Sequence, residues 1–166
     1  SHPKGSSDPS PYDLVQMNIH NRPYVIVGMD GDISVNDPER APLIGRFYVH
    51  GTQDCYSIVR DYYARELGIN LRDAPRKDNW WQDADHPSLY VEMFKEFGFV
   101  EVPKEAMRRN DVMLCRWGNT QHINHALIYL ADDANLISEE TEPCVGSRIC
   151  LHHVHNGLSG RFPLGE

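Results

Sequence analysis

Gly51-Thr52-Gln53-Asp54-Cys55-Tyr56-Ser57-Ile58-Val59-Arg60 is the stretch on which the fold turns: a polar turn runs straight into a helical pattern with a cysteine in its first turn. Thr52 or Asp54 can cap that helix by accepting its orphan backbone N–H bonds. Ile58, Val59, Tyr62 and Leu67 recur at helical spacing with Arg60, Asp61, Arg65 and Glu66 off the stripe, and Gly68 closes the helix. A thiol placed at a helix start faces unpaired N–H groups and the positive end of the macrodipole. That predicts a pKa below the usual value of about 8.5. A cysteine is also a small apolar residue, so plain burial in the core is the other reading of Cys55.

Partners for a nucleophile lie far along the chain. His125 opens the run Asn124-His125-Ala126-Leu127-Ile128-Tyr129-Leu130, and His152 sits in Ile149-Cys150-Leu151-His152-His153-Val154, both short and β-like. In the first run alternation sends His125, Leu127 and Tyr129 one way and Ala126, Ile128 and Leu130 the other. A helix-borne cysteine and a strand-borne histidine are the parts of a nucleophile–base pair, with a third polar group orienting the imidazole from its far side. His152 is the candidate for that third part, and the Cys55 N–H is a candidate oxyanion donor.

Working outward, Asp13 to Ile19 reads as a short helix after a Pro/Ser-rich start, and Tyr24 to Gly28 as a compact buried strand before the turn Asp30-Gly31-Asp32. Ser1 to Tyr12 is polar and does not match a secretory leader. Asn36 to Pro42, charged and aperiodic, is the predicted boundary. Beyond Gly68 comes an irregular polar stretch, Asn70 to Pro87, interrupted by Trp80-Trp81, whose rings either pack the loop onto the core or stack on a ligand. Tyr90 to Phe97 has the pattern of an amphipathic helix, and strands are expected at Val112 to Trp117, at the His125 run and at Arg148 to Val154. Helix first and antiparallel strands after is the order of an α+β fold with helices packed on one side of a sheet.

The 166 residues suffice for one good core with a partial second unit. A net charge of −8 argues against general nucleic-acid binding, and no apolar run is long enough for membrane insertion. Four cysteines without a CxxC pair point to reduced thiols, with a local Cys144–Cys150 bridge as the alternative.

Taken together, Gly51 to Val59, the Trp80-Trp81 loop, Gly98-Phe99, Asp111-Val112, Asn124 to Leu130, Leu151-His152-His153 and Leu158-Ser159 resemble the NlpC-type papain-like cysteine peptidase domain. The version in tail-tip assembly proteins of lambda-like phages is the one they resemble most. The resemblance spans about Leu43 to Glu166. It implies Cys55 as nucleophile, His125 as base and His152 as orienting residue, with His153 and Asp132 open for the third role because Ala131 to Cys150 intervenes as an inserted excursion. It further implies peptidoglycan stem peptides as substrate, other tail-tip proteins as partners, a virion tail tip acting at the cell wall, and no cofactor. A catalytically silent tail component, docking through the Trp80-Trp81 loop and the acidic 132–142 insertion, and an amidase or acyltransferase on the same fold are the competing readings. The family's tyrosine ahead of the nucleophile has no clear match, since Tyr48 reads as a packed strand residue.

His2-Pro3, Pro9-Ser10 and Tyr12-Asp13 are similar to the second half of the JAMM metallopeptidase motif, and that resemblance implies His2 and Asp13 as two zinc ligands. Two ligands make neither a closed nor a catalytic site, so no tight metal binding is expected. Ser1-His2 is alternatively a vector scar. The expected division is therefore a JAMM-like remnant over 1–35, a linker over 36–42 and the NlpC-like domain over 43–166.

Overall fold

The structure is a computed structural model that describes residues 5–20, 22–36, 41–85 and 87–165. The chain divides into two compact units, Ser1–Ala41 and Pro42–Glu166.

In the first unit helix α1 covers Pro11–His20. Ser10 and Asp13 cap it reciprocally: the Asp13 N–H donates to Ser10 Oγ at 3.2 Å and the Asp13 carboxylate accepts the Ser10 N–H at 2.9 Å. Asp13 is thus a capping residue here, while His2 lies outside the described residues. Strands β1 (Tyr24–Val27) and β2 (Ile33–Asn36) form an antiparallel hairpin with Val25 opposite Val35 and Val27 opposite Ile33. The compact buried strand expected over Tyr24 to Gly28 is corrected: Val25 and Val27 are 64% and 63% exposed. In this hairpin alternation gathers Val25, Val27, Ile33 and Val35 on one open face.

The second unit is built on helix α2, Cys55–Glu66. Asp54, not Thr52, is its cap: the Asp54 carboxylate accepts the Ser57 N–H at 3.0 Å, and the Asp54 N–H donates to Ser57 Oγ at 3.3 Å. Such a cap contributes about 1 kcal/mol. Fully burying Tyr56, Ile58, Val59 and Tyr62 contributes about 1.5–3 kcal/mol for each side chain, so packing rather than capping holds the helix in place. Asp61, which the pattern put off the apolar stripe, is buried as well and pairs with Arg46 at 2.7 Å.

Helix α3 (Leu89–Glu96) follows a single 3-10 turn at Trp80–Gln82. Strands β3 (Val112–Cys115), β4 (His125–Asp133), β5 (Val145–His153) and β6 (Ser159–Pro163) then form a four-stranded antiparallel meander. Ala126, Ile128 and Leu130 of β4, with Ile149 and Leu151 of β5, join α2 and α3 in one core. The architecture is the α+β arrangement expected from the sequence.

The inserted excursion is shorter than expected, because β4 runs on to Asp133 through register shifts around Ala131 and β5 already begins at Val145. Its acidic character does not face solvent alone. Glu139 accepts the Leu43 and Ile44 N–H groups at 2.7 and 3.0 Å and pairs with Arg65, and Glu66 of α2 accepts the Ile137 and Ser138 N–H groups. All four thiols are free, so the Cys144–Cys150 bridge is absent.

Candidate active site

The start of α2 is held by charge. Arg76, from the aperiodic loop after α2, is almost wholly buried, and its Nε donates to Asp54 Oδ2 at 2.7 Å. Its Nη2 donates to the Gly51 carbonyl at 2.8 Å and to Ser57 Oγ at 3.3 Å, Nη1 donates to the Ala74 carbonyl, and the guanidinium stacks 4.8 Å over the Tyr56 ring. Asp54 also accepts the Gly51 N–H at 2.9 Å. One ion pair therefore ties the turn, the helix start and the following loop together, immediately before Cys55.

Cys55 itself is only 5% exposed. Its sulfur lies 3.1 Å from the Tyr90 hydroxyl of α3 and 3.8 Å from the Asn124 carbonyl, to which the thiol donates. Burial first, and the neighbouring Asp54 carboxylate second, push the thiol up to about 12, against the pull of Tyr90, the Ala126 N–H and Arg76. The lowered pKa expected from the helix start is corrected. A macrodipole supplies about half a charge, and here it is outweighed by desolvation and by a full negative charge on the capping residue.

The β3–β4 turn brings in the imidazole. Asn124 closes it, its Oδ1 accepting the Trp117 N–H at 2.7 Å and its Nδ2 donating to the Trp117 carbonyl at 3.2 Å. His125 follows as the first residue of β4, 4% exposed. The β4–β5 register pairs Ile128 with Leu151. Continued, it puts His152 opposite Leu127 and diagonal to His125 on the same face. Their rings meet accordingly, His125 Nε2 lying 3.1 Å from His152 Nδ1. Trp117 packs on both imidazoles, at 5.2 and 6.0 Å between centroids, and Phe162 of β6 closes over His152 at 4.8 Å. Burial, then the neighbouring His152 and His153, bring His125 down to about 4, and burial lowers His152 too.

Cys55 and His125 line one cleft of about 270 Å³, with Trp81 and Trp117 in its walls and Tyr48, His153 and His155 beside them. The sulfur bonds Tyr90 and Asn124 rather than the His125 ring. His153 alternates to the other face of β5 from His152, where its Nε2 contacts the Gly157 carbonyl at 3.2 Å and its Nδ1 has no hydrogen-bond partner. Asp132 Oδ1 instead accepts the Arg148 N–H. Tyr48 is a cleft residue rather than a strand residue: its ring meets His153 and His155, and its hydroxyl lies 3.4 Å from His50 Nδ1. Of the adjacent tryptophans, Trp80 packs on the core, at 4.8 Å from the Tyr90 ring, and Trp81 lines the cleft. A second groove, about 280 Å³ between Arg72 and Glu96, contains none of the candidate catalytic residues.

Sequence reasoning missed Tyr90 and Arg76. Tyr90 was hidden in the apolar stripe of α3, and Arg76 lies in a loop with no period to read.

A family model described as the NlpC/P60 family matches residues 45–160. Among curated proteins, the chain is similar to tail tip assembly protein K of Escherichia phage lambda, 34% identical over 72% of this chain and 50% of that protein. It is also similar to tail tip assembly protein K of Escherichia phage N15, 30% identical over 99% of this chain and 62% of that protein. The chain thus spans between half and about three-fifths of the length of these relatives. No solved structure matches.

Proposed function

The chain belongs to the NlpC/P60 family, and from that premise we propose that it is a cysteine endopeptidase of a phage or prophage tail tip that cuts the stem peptides of peptidoglycan. The observation that carries the proposal is the opening of Cys55 and His125 onto one aromatic-walled cleft, with His152 meeting the far nitrogen of His125 at 3.1 Å. With the thiol pushed up and His125 pushed down, both are neutral near pH 7. Proton transfer to His125 then accompanies attack instead of preceding it. For His125 to accept at Nδ1, its Nε2 carries the proton and donates to His152 Nδ1, which fixes both tautomers. The sulfur bonds the substrate carbonyl carbon, and the Cys55 N–H, a first-turn amide without an intrahelical acceptor, receives the oxyanion. His125 next protonates the leaving amine, and finally activates the water that releases the acyl group.

Within this proposal 43–166 is the hydrolase domain, 36–42 a linker and 1–35 the remnant of a JAMM-like domain. Peptidoglycan and other tail-tip proteins are the partners. One observation favours a second reading, a catalytically silent tail component: the sulfur makes its hydrogen bonds with Tyr90 and the Asn124 carbonyl and not with the His125 ring. Mass spectrometry of digested muropeptides separates the two and also identifies an amidase or acyltransferase by its product. The expected result is loss of cleavage in Cys55→Ala and His125→Ala and a loss of about tenfold in His152→Ala. Full activity in Cys55→Ala eliminates the thiol mechanism.

A further inference from the structure

The geometry points to Tyr90 as a catalytic residue whose hydroxyl donates a hydrogen bond to the Cys55 sulfur and carries the negative charge that builds there as the proton leaves. This inference rests on the reading of Cys55 as nucleophile and adds a group to it. Tyr90 is 2% exposed, and its oxygen lies 3.1 Å from the sulfur. The Asn124 carbonyl, 3.8 Å from the sulfur, can only accept, and with the thiol proton on that contact the phenol is the donor toward sulfur. Once the proton has passed to His125, the sulfur can only accept, and a buried anion needs donors at hand.

Tyr90 is built to remain one. Burial, with the Cys55 and Asp54 charges behind it, holds its hydroxyl well above the ordinary tyrosine range, so the phenol keeps its proton. Its placement is fixed from two sides. Ser88, just before α3, donates from Oγ to the Ile123 carbonyl at 3.0 Å, tying the start of α3 to the turn that supplies Asn124 and His125, and Trp80 packs on the Tyr90 ring. A tyrosine serving the core alone would not need its oxygen on the sulfur. Atoms balance without another reactant: the sulfur forms its bond to carbon, its proton goes to His125, and Tyr90 ends the step still protonated.

Tyr90→Phe removes one oxygen and keeps the ring. The test is the rate of Cys55 alkylation by iodoacetamide between pH 7 and 9, read by peptide mass spectrometry against Cys115 in the same molecules, together with kcat and KM on muropeptides. The expected result is a Cys55-to-Cys115 ratio about tenfold lower, one pKa unit, with kcat lowered and KM little changed. A structural loosening has the opposite sign, because access to a buried thiol speeds its alkylation. A ratio that stays the same or rises in Tyr90→Phe overturns the proposal for Tyr90 alone. Cleavage that persists in Cys55→Ala overturns instead the reading on which it rests, so the two failures are distinguishable.

Discussion

The sulfur side and the imidazole side of the cleft are held by opposite means. Around Cys55 the framework is charged: the Asp54 carboxylate and the Arg76 guanidinium meet in the interior and bond the turn, the helix and the loop together. Around His125 the framework is neutral, with one imidazole against another, an indole over both and a phenyl ring behind. The difference shows what a helix start does for a thiol. Its amides and dipole act only after its cap is counted, and a cap that is itself an anion works against the thiolate. Arg76 offsets that anion, so it stabilises the fold and the reacting form of the sulfur together.

The strongest way to break the contrast is to remove one charge. Arg76→Met leaves Asp54 buried and unpaired, and a loss of about 3–5 kcal/mol in unfolding free energy is expected from urea denaturation. His152→Ala removes a neutral partner from the other side and is expected to reduce stability less than Arg76→Met does. Equal losses would mean that the charged network does not distinguish the two sides.

The two sides also fail at opposite ends of the pH scale. His125 stands at about 4 when folded against an ordinary 6.5, so the unfolded chain binds the extra proton in between. Stability is therefore present above pH 6.5 and lost as pH falls toward 4, by about 3 kcal/mol for this group. Cys55 stands at about 12 against an ordinary 9. Here the unfolded chain gives up its proton first, and stability present below pH 9 is lost as pH rises toward 12, by about 4 kcal/mol. Urea midpoints across pH in Cys55→Ser and His125→Asn check this. Each variant should make one arm shallower and leave the other, with His152 and His153 still sloping the acid arm and Cys150 the alkaline one, and a variant that changes both, or neither, breaks the assignment.

The same division governs what the sequence could reveal. Helix α2 and strand β4 were legible because each has a clean period and a boundary residue: Asp54 with Ser57 at the helix, Asn124 at the strand. Fold class followed from their order, and the pairing of His125 with His152 is a diagonal contact between two strands whose alternation was already readable. Arg76 was not legible, since its role arises from a loop folding back over 22 residues to Asp54. Nor was Tyr90, because a tyrosine on an apolar stripe looks the same whether its oxygen meets water or a sulfur. The acidity of Cys55 was read with the wrong sign for a related reason: burial is a property of the assembled core, and local pattern carries only the dipole.

The finest test of the contrast lies in the two cleft tryptophans. Trp81 rises on the sulfur side from the loop that Arg76 anchors and packs on His50 at 5.5 Å, its carbonyl accepting the His122 N–H at 3.2 Å. Trp117 belongs to the other side and contacts His125 and His152 directly. Truncating Trp117 to alanine frees the rings that must hold one tautomer and one orientation, so kcat is expected to fall about tenfold. Truncating Trp81 removes a wall that a bound peptide would press against. The expected effect is about fivefold on KM, near 1 kcal/mol, with kcat almost unchanged. Steady-state kinetics on one purified muropeptide reads both variants. If Trp81→Ala lowers kcat as much as Trp117→Ala does, the loop positions the reacting groups as well as the substrate, and the two sides of the cleft are not separable.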